Sequence, residues 1–248
     1  MKKLLLLLGV LFLVTSTTHA EVISASYKVE FGVFGEIGIA NATLTRDANS
    51  YEIDVELEAT GISKTLSGNR KEHHVSKGHI ENGVMISDLY QVMKSHGGKV
   101  TNKVYRPNHA RKSVTKEYKR WRDGKLEKDE TSTLNYYSED DLLTLYFNLN
   151  NKIADKTMSN SYTFEAIGAE KQNGTVLVEI PSRSELPLFK EALGSDDSGW
   201  YARAIINQNI FSSDKGELLL RIGQDGITER AVLKDLIFFG DIRAIRIQ

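Results

Sequence analysis

SASYKVEFGV, residues 24 to 33, sets Ala25, Tyr27, Val29 and Phe31 at alternate positions with Ser26, Lys28 and Glu30 between them. A period of two marks a strand with one buried face, because successive side chains of a strand point to opposite sides of the sheet. The next stretch, GEIGIANATLTRDANSYEIDVELEAT (35 to 60), continues the pattern as two more strands about the turn Asp47-Ala48-Asn49-Ser50, with Ile53, Val55 and Leu57 on one side of the second. Asn82-Gly83 in KEHHVSKGHIENGVMIS and Asp123-Gly124 in KSVTKEYKRWRDGKLEKDETSTL each separate two alternating runs. Both dipeptides favour the left-handed backbone of a two-residue hairpin turn. HGGK, residues 96 to 99, reads as another hairpin tip. The fold class is therefore mainly β, an antiparallel meander in which strands adjacent in sequence are adjacent in space.

One stretch breaks the rhythm. In YYSEDDLLTLYFNL (136 to 149), Ser138 followed by Asp141 has the spacing of a capping box, and Leu142, Leu145, Tyr146 and Leu149 fall at helical spacing. A helix is expected over residues 138 to 149. Three turns with one apolar stripe are marginal alone in water, so the stripe needs a surface to bury against. It either completes the core or gates an apolar pocket holding a lipid or another hydrophobic ligand. A second helix is expected in SRSELPLFKEALGS (182 to 195), with Ser184 as cap, Pro187 in the first turn and Gly194 as the stop. The strands then return as GWYARAIINQNIF, GELLLRIGQDG and ITERAVLKDLIFFGDIRAIRIQ, the last read as one strand kinked or bulged at Gly240.

The first twenty residues have the form of an export signal: Lys2 and Lys3, an apolar run from Leu4 to Val14, and Thr18-His19-Ala20 before the cut. Eleven apolar residues are too few for a membrane-crossing helix, which takes roughly 20. No later run is long enough, so no transmembrane segment is expected and the mature chain, residues 21 to 248, is assigned to the periplasm, with secretion as the other outcome. It reads as a single β-rich domain, with residues 150 to 160 the place for a subdomain break. The chain has no cysteine, which rules out disulfides, thiol catalysis and a lipid-modified cysteine anchor.

The mature chain is close to neutral, yet from Lys94 to Lys128 twelve Lys or Arg face only Glu117, Asp123 and Glu127. Tyr118, Lys119, Arg120, Trp121 and Arg122 are the candidates for contact with an anionic envelope surface. The competing reading is a hairpin whose cations pair with acidic residues elsewhere or guard a sheet edge. Nucleic acid is not an expected partner, given the compartment.

These features resemble an uncharacterised bacterial exported family, domain of unknown function 3108 (DUF3108). The likeness rests on the signal, the opening YKVEFGVFGEIGIANATL, the helix motif Asp-Leu-Leu-Thr-Leu-Tyr-Phe at 141 to 147, and the C-terminal RIGQDGITERAVLKDLIFFGDIRAIRI. It implies a periplasmic β-barrel or strongly curved sheet with helices packed on it or across its mouth. No catalytic residues come with that family.

The residues assign none either. There is no Gly-x-Ser-x-Gly elbow, no Ser-x-x-Lys set in a fitting context and no Gly-rich phosphate loop. His73, His74 and His79 are weak metal candidates, because His73 and His74 point to opposite faces of a strand. No cofactor is expected. The leading expectation is a non-catalytic protein that binds a lipid, another hydrophobic ligand, an anionic glycan or a protein partner. An envelope enzyme acting on glycan or lipid is the alternative, and it requires a cleft where carboxylates or histidines converge with shifted pKa values.

Overall fold

In a computed structural model of the chain, residues 20–195, 198–206, 216–236 and 240–248 are described; the expected signal, up to residue 19, lies outside them. Fourteen strands of the described residues form one antiparallel sheet. The first arm runs β1 (Glu21–Phe31), β2 (Glu36–Arg46), β3 (Ser50–Ala59), β4 (Lys71–Glu81), β5 (Val84–His96), β6 (Lys99–Asn108), β7 (Ser113–Arg122) and β8 (Lys125–Thr133). The second runs β9 (Asn160–Glu165), β10 (Thr175–Ile180), β11 (Trp200–Ile206), β12 (Gly216–Ile222), β13 (Thr228–Leu236) and β14 (Gly240–Arg246). Each arm is a meander, and β1 pairs with β14 to join them. The free edges are β8 and β9, so the sheet curves without closing.

Turn chemistry sets the registers of the first arm. Asn82-Gly83, Gly97-Gly98 and Asp123-Gly124 all hold two successive positive φ angles, the hairpin geometry whose twist matches that of the flanking strands. Asp47 closes the β2–β3 turn by accepting the N–H groups of Asn49 and Ser50.

Between β8 and β9 the chain crosses the concave side of the sheet. Leu134 bonds back to Val114, Glu139 accepts the Ser87 N–H, and residues 140 to 142 pair with Ile167. Helix α2 (Leu142–Lys152) follows, inside the curve. Leu145, Leu149 and Ile153 bury against Val176, Val178, Trp200, Ala202 and Leu220 of β10 to β12. The neighbouring face of the helix, with Leu143 and Phe147, packs toward Leu44, Tyr51 and Ile53 of the first arm. Helix α3 (Leu186–Leu193) lies on the convex side: Phe189 and Leu193 bury against Tyr201, Leu219 and Val232, which alternate with the inward residues of the same strands.

Three expectations need correction. Helix α2 begins at Leu142 and its cap is Asp141, which accepts the N–H groups of Leu143 and Thr144. Ser138 instead donates to the Glu165 carbonyl and accepts the Asp140 N–H, because residues 138 to 141 bend between the two arms and bond to both before the helix begins. The second helix starts at Leu186 with Glu185 at the cap position; Glu185 reaches back to the Ser182 N–H and hydroxyl. The last expected strand is a hairpin, in which Leu236 pairs with Gly240 across residues 237–239, outside the described set. A further short helix, α1 (Gly61–Leu66), joins β3 to β4.

Candidate ligand cavity

The hairpin turns fix which end of the sheet is which. The β2–β3, β4–β5 and β12–β13 connections lie at one end of the strands that surround α2. The β1–β2 connection, helix α1 and the β5–β6 turn lie at the other. Helix α2 closes the first end. Its Asn148 side chain pairs with both backbone groups of Met85 at the start of β5, accepting the N–H at 3.2 Å and donating to the carbonyl at 2.8 Å. Tyr146 accepts the Thr228 N–H at 2.7 Å and lies 2.8 Å from the Thr228 hydroxyl, at the start of β13.

The anchor of the helix is Asp141, fully buried. Besides the two cap N–H groups it accepts hydroxyls from Ser76 at 2.5 Å, Ser87 at 2.7 Å and Thr144 at 3.0 Å. The Tyr51 hydroxyl lies 2.8 Å from that of Thr144 and 3.1 Å from that of Ser76. Desolvation raises the Asp141 carboxyl above its ordinary value, and the hydrogen bonds pull the other way without cancelling it. Its neighbour Asp140 accepts from Asn148 at 2.8 Å and pairs with Lys152. Polar side chains on one side of the helix thus fasten it to β4 and β5.

The other side faces an apolar cavity of about 400 Å³. Its wall is the concave face of β1 to β3 and β12 to β14, where Ala25, Ala40, Ala42, Ala231 and Ala244 stand among Val, Leu and Ile. Small side chains at these inward positions leave the space that larger ones would fill. Leu143, Tyr146 and Phe147 of α2 form its floor. Beyond the far end of the same strands, Phe34 is 64% exposed, and Ile62 and Leu66 of α1 are each 79% exposed.

A second cavity, about 390 Å³, lies beside it under β5 and β6 and is the more polar of the two, with His74, Lys94, Lys103 and Glu170 set among Tyr90, Val92, Tyr105 and other apolar side chains. Burial alone would raise the Glu170 carboxyl, but hydrogen bonds from Lys116, Tyr105 and Lys103 outweigh it and hold it at about 2. Against the same effect of burial, His74, Lys94 and Arg70 keep Glu72 far below the ordinary carboxyl range. Both carboxylates are ionised partners of cations, the opposite of a group poised to donate a proton.

The expected site residues are distributed as follows. Of the helix stripe, Tyr146 lines the apolar cavity, Leu142 borders the polar one, and Leu145 and Leu149 belong to the packed cluster against β10 to β12. The basic hairpin is β7–β8, with β8 a solvent-facing edge. Lys119 pairs with Asp129, Arg120 and Arg122 with Glu127, and Lys128 lies over the Tyr118 ring; Trp121 is half-buried opposite Leu126. Lys119, Arg120 and Arg122 are thus paired across the hairpin, Lys128 pairs with Glu130 on its own strand, and Lys116 pairs with Glu170. His73, His74 and His79 do not converge: His73 meets Asp54, His74 meets Tyr90 and Glu72, and His79 meets Asp88, which raises its imidazole above the ordinary value. The cavity wall and Asp141 were not singled out as a site in the sequence. The signal for the wall is alanine recurring on the inward face of strands that otherwise carry Val, Leu and Ile.

No family model matches the chain, and no curated protein matches it. Among solved structures, a crystal structure described as a β-barrel-like protein of domain of unknown function DUF1849 from Brucella abortus is similar, with a TM-score of 0.53 and 10% sequence identity over 91% of this chain and 95% of that one. At that identity the likeness is one of fold. The chain has a β-barrel-like fold built from an open, curved antiparallel sheet.

Proposed function

We propose that the mature chain is a periplasmic, non-catalytic binding protein for a hydrophobic ligand, a lipid acyl chain being the chemistry that fits best. The observation that carries this reading is the apolar cavity between the concave sheet and α2. Its volume falls in the range of about 300 to 1,000 Å³ typical of small-molecule sites, and its wall is almost wholly aliphatic and aromatic. An acyl chain needs little else, since apolar burial is non-directional and scales with area. Helix α2 is the fixed floor of this site, and the exposed Phe34, Ile62 and Leu66 mark the end where a ligand would enter from a membrane surface. The export signal and the DUF3108 likeness belong to the same reading. The matched charges of β7–β8 leave the anionic-surface alternative with less support, and the ionised, cation-paired state of Glu72 and Glu170 does the same for an envelope enzyme.

The test is native mass spectrometry with lipid extraction on protein purified from its exported location, beside Ala42→Phe and Ala231→Phe variants that fill the cavity. A co-purifying apolar molecule, lost in both variants while their circular dichroism is kept, is the expected result. Failure of the wild-type protein both to carry such a molecule and to bind a fluorescent fatty acid would overturn the reading.

A further inference from the structure

Near the β4–β5 connection, and outside the residues that line either cavity, His79, Asp88 and His109 meet. His79 Nδ1 lies 2.8 Å from one oxygen of Asp88, and His109 Nε2 lies 3.0 Å from the other. The two imidazoles stand edge to face with centroids 5.6 Å apart, and the three ligand atoms all lie within 4.8 Å of one another. We propose that these side chains form a binding site for a divalent transition-metal ion of the zinc type. Two neutral imidazoles and a carboxylate are a donor set that such ions prefer, and three protein ligands leave a fourth position for water. Zinc bonds of about 2.0 to 2.2 Å in tetrahedral geometry require ligand atoms roughly 3.3 Å apart, so small side-chain rotations admit the ion.

Two further observations separate this trio from an ordinary surface ion pair. The first is the far nitrogen of each ring. His109 Nδ1 lies 2.8 Å from the Tyr137 hydroxyl, and His79 Nε2 lies 3.4 Å from a Glu81 oxygen. Metal-binding histidines are oriented in this way, by a partner on the nitrogen that faces away from the ion.

The second is the backbone beneath. The β4–β5 register shifts between Lys77 and Gly78, so that Gly78 faces Ser87, Lys77 faces Leu89, and Asp88 is the extra residue of a bulge. Bulges re-aim a side chain, and here the re-aimed group is the carboxylate shared by both histidines. The bulge depends on glycine: a Cβ on Gly78 would stand 1.9 Å from the Ile86 carbonyl oxygen. A second cluster, Asp54, Glu56 and His73, has one imidazole and no such framing, and it serves as the internal control.

The experiment is calorimetric titration of the chelator-treated mature chain with zinc chloride, with histidine NMR on the same samples. One equivalent is expected to bind, shifting the ring signals of His79 and His109 but not of His73. His109→Ala and Asp88→Asn are each expected to weaken binding at least tenfold. Tyr137→Phe, which touches no ion, should weaken it by about 10-fold or more through the lost outer partner. His73→Ala should leave affinity within twofold. All four positions are partly exposed, so folding is checked by circular dichroism. The proposal is overturned if zinc at 1 mM gives no heat and no ring shifts, or if affinity in folded His109→Ala and Asp88→Asn stays within twofold of wild type.

Discussion

Replacing Asp141 tests whether charge or hydrogen bonding holds α2 in place. The carboxylate accepts five hydrogen bonds and forms no ion pair among the described residues. Asp141→Ala removes the helix cap, about 1 kcal/mol, and strands one or two buried donors at about 1 to 3 kcal/mol each. Relief of the buried charge offsets part of this, for a net cost of about 3 kcal/mol. Asp141→Asn keeps the cap, because Asn and Asp serve equally at that position. Its amide can donate to hydroxyls that rotate to accept, so its cost at pH 7 should stay under about 1 kcal/mol. A pH series adds the sign. Since the folded chain raises this carboxyl above 3.8, the stability linked to it is full below the unfolded value and is lost as pH rises through the folded one. Wild type should therefore gain on Asp141→Asn as pH falls through that window. Urea unfolding of the three proteins between pH 4 and 8 measures all of this. If Asn costs as much as Ala, the ionised group itself is required and the reasoning fails.

Phe189→Ala should cost about 3 to 5 kcal/mol in urea unfolding, because Phe189 docks α3 on the convex face, yet fatty-acid affinity should be unchanged; a lost affinity would mean that the two faces of the sheet are not independent. Gly78→Ala forces a backbone clash at the β4–β5 bulge, and a melting temperature equal to wild type would show that the strand shifts freely there. Glu170 is held at about 2 against an ordinary 4.5, so its contribution is full above the unfolded value and is lost as pH falls through the folded one. Glu170→Gln should flatten the stability curve over that acid window, and an unaltered slope would show that the Lys103 and Lys116 pairs do not act on the fold.

The meander was legible because its signals are local. Alternation in residues 24 to 60 and the Asn-Gly and Asp-Gly dipeptides depend on neighbours one or two positions away. The β13–β14 hairpin was missed because Leu236 to Phe239 form an apolar run that hides the reversal. The start of α2 was misplaced because Ser138 and Asp141 satisfy a capping-box spacing, while partners distant in sequence, Glu165 and Ile167, hold residues 138 to 141 out of the helix. Of the histidine cluster only His79 was named, grouped with His73 and His74, for the same reason. His79 and His109 are thirty residues apart, and only the β4–β6 register and a one-residue bulge bring them to Asp88.

The same helix answers two demands that pull against each other. A segment lying inside a curved sheet must satisfy its polar groups without water, and it must also leave space if the interior is to receive anything. Residues 140 to 152 divide these tasks around the helix. Asp140, Asp141, Thr144 and Asn148 bond to one another and to β4 and β5, while Leu145 and Leu149 fill the space toward β10 to β12. Leu143 and Phe147 touch the Leu44 and Tyr51 cluster and Tyr146 bonds to Thr228, and between these contacts the three face alanines across the gap. Were the helix held by apolar packing all round, filling that gap would gain stability, and the alanines would have no role in the fold. Because the polar side fixes the helix independently, the gap can persist beside it. Enlarging Ala42 should therefore remove ligand binding while leaving the Asp141 network, and the coupling energy between Ala42→Phe and Asp141→Ala in a double-mutant cycle should be within about 0.5 kcal/mol of zero.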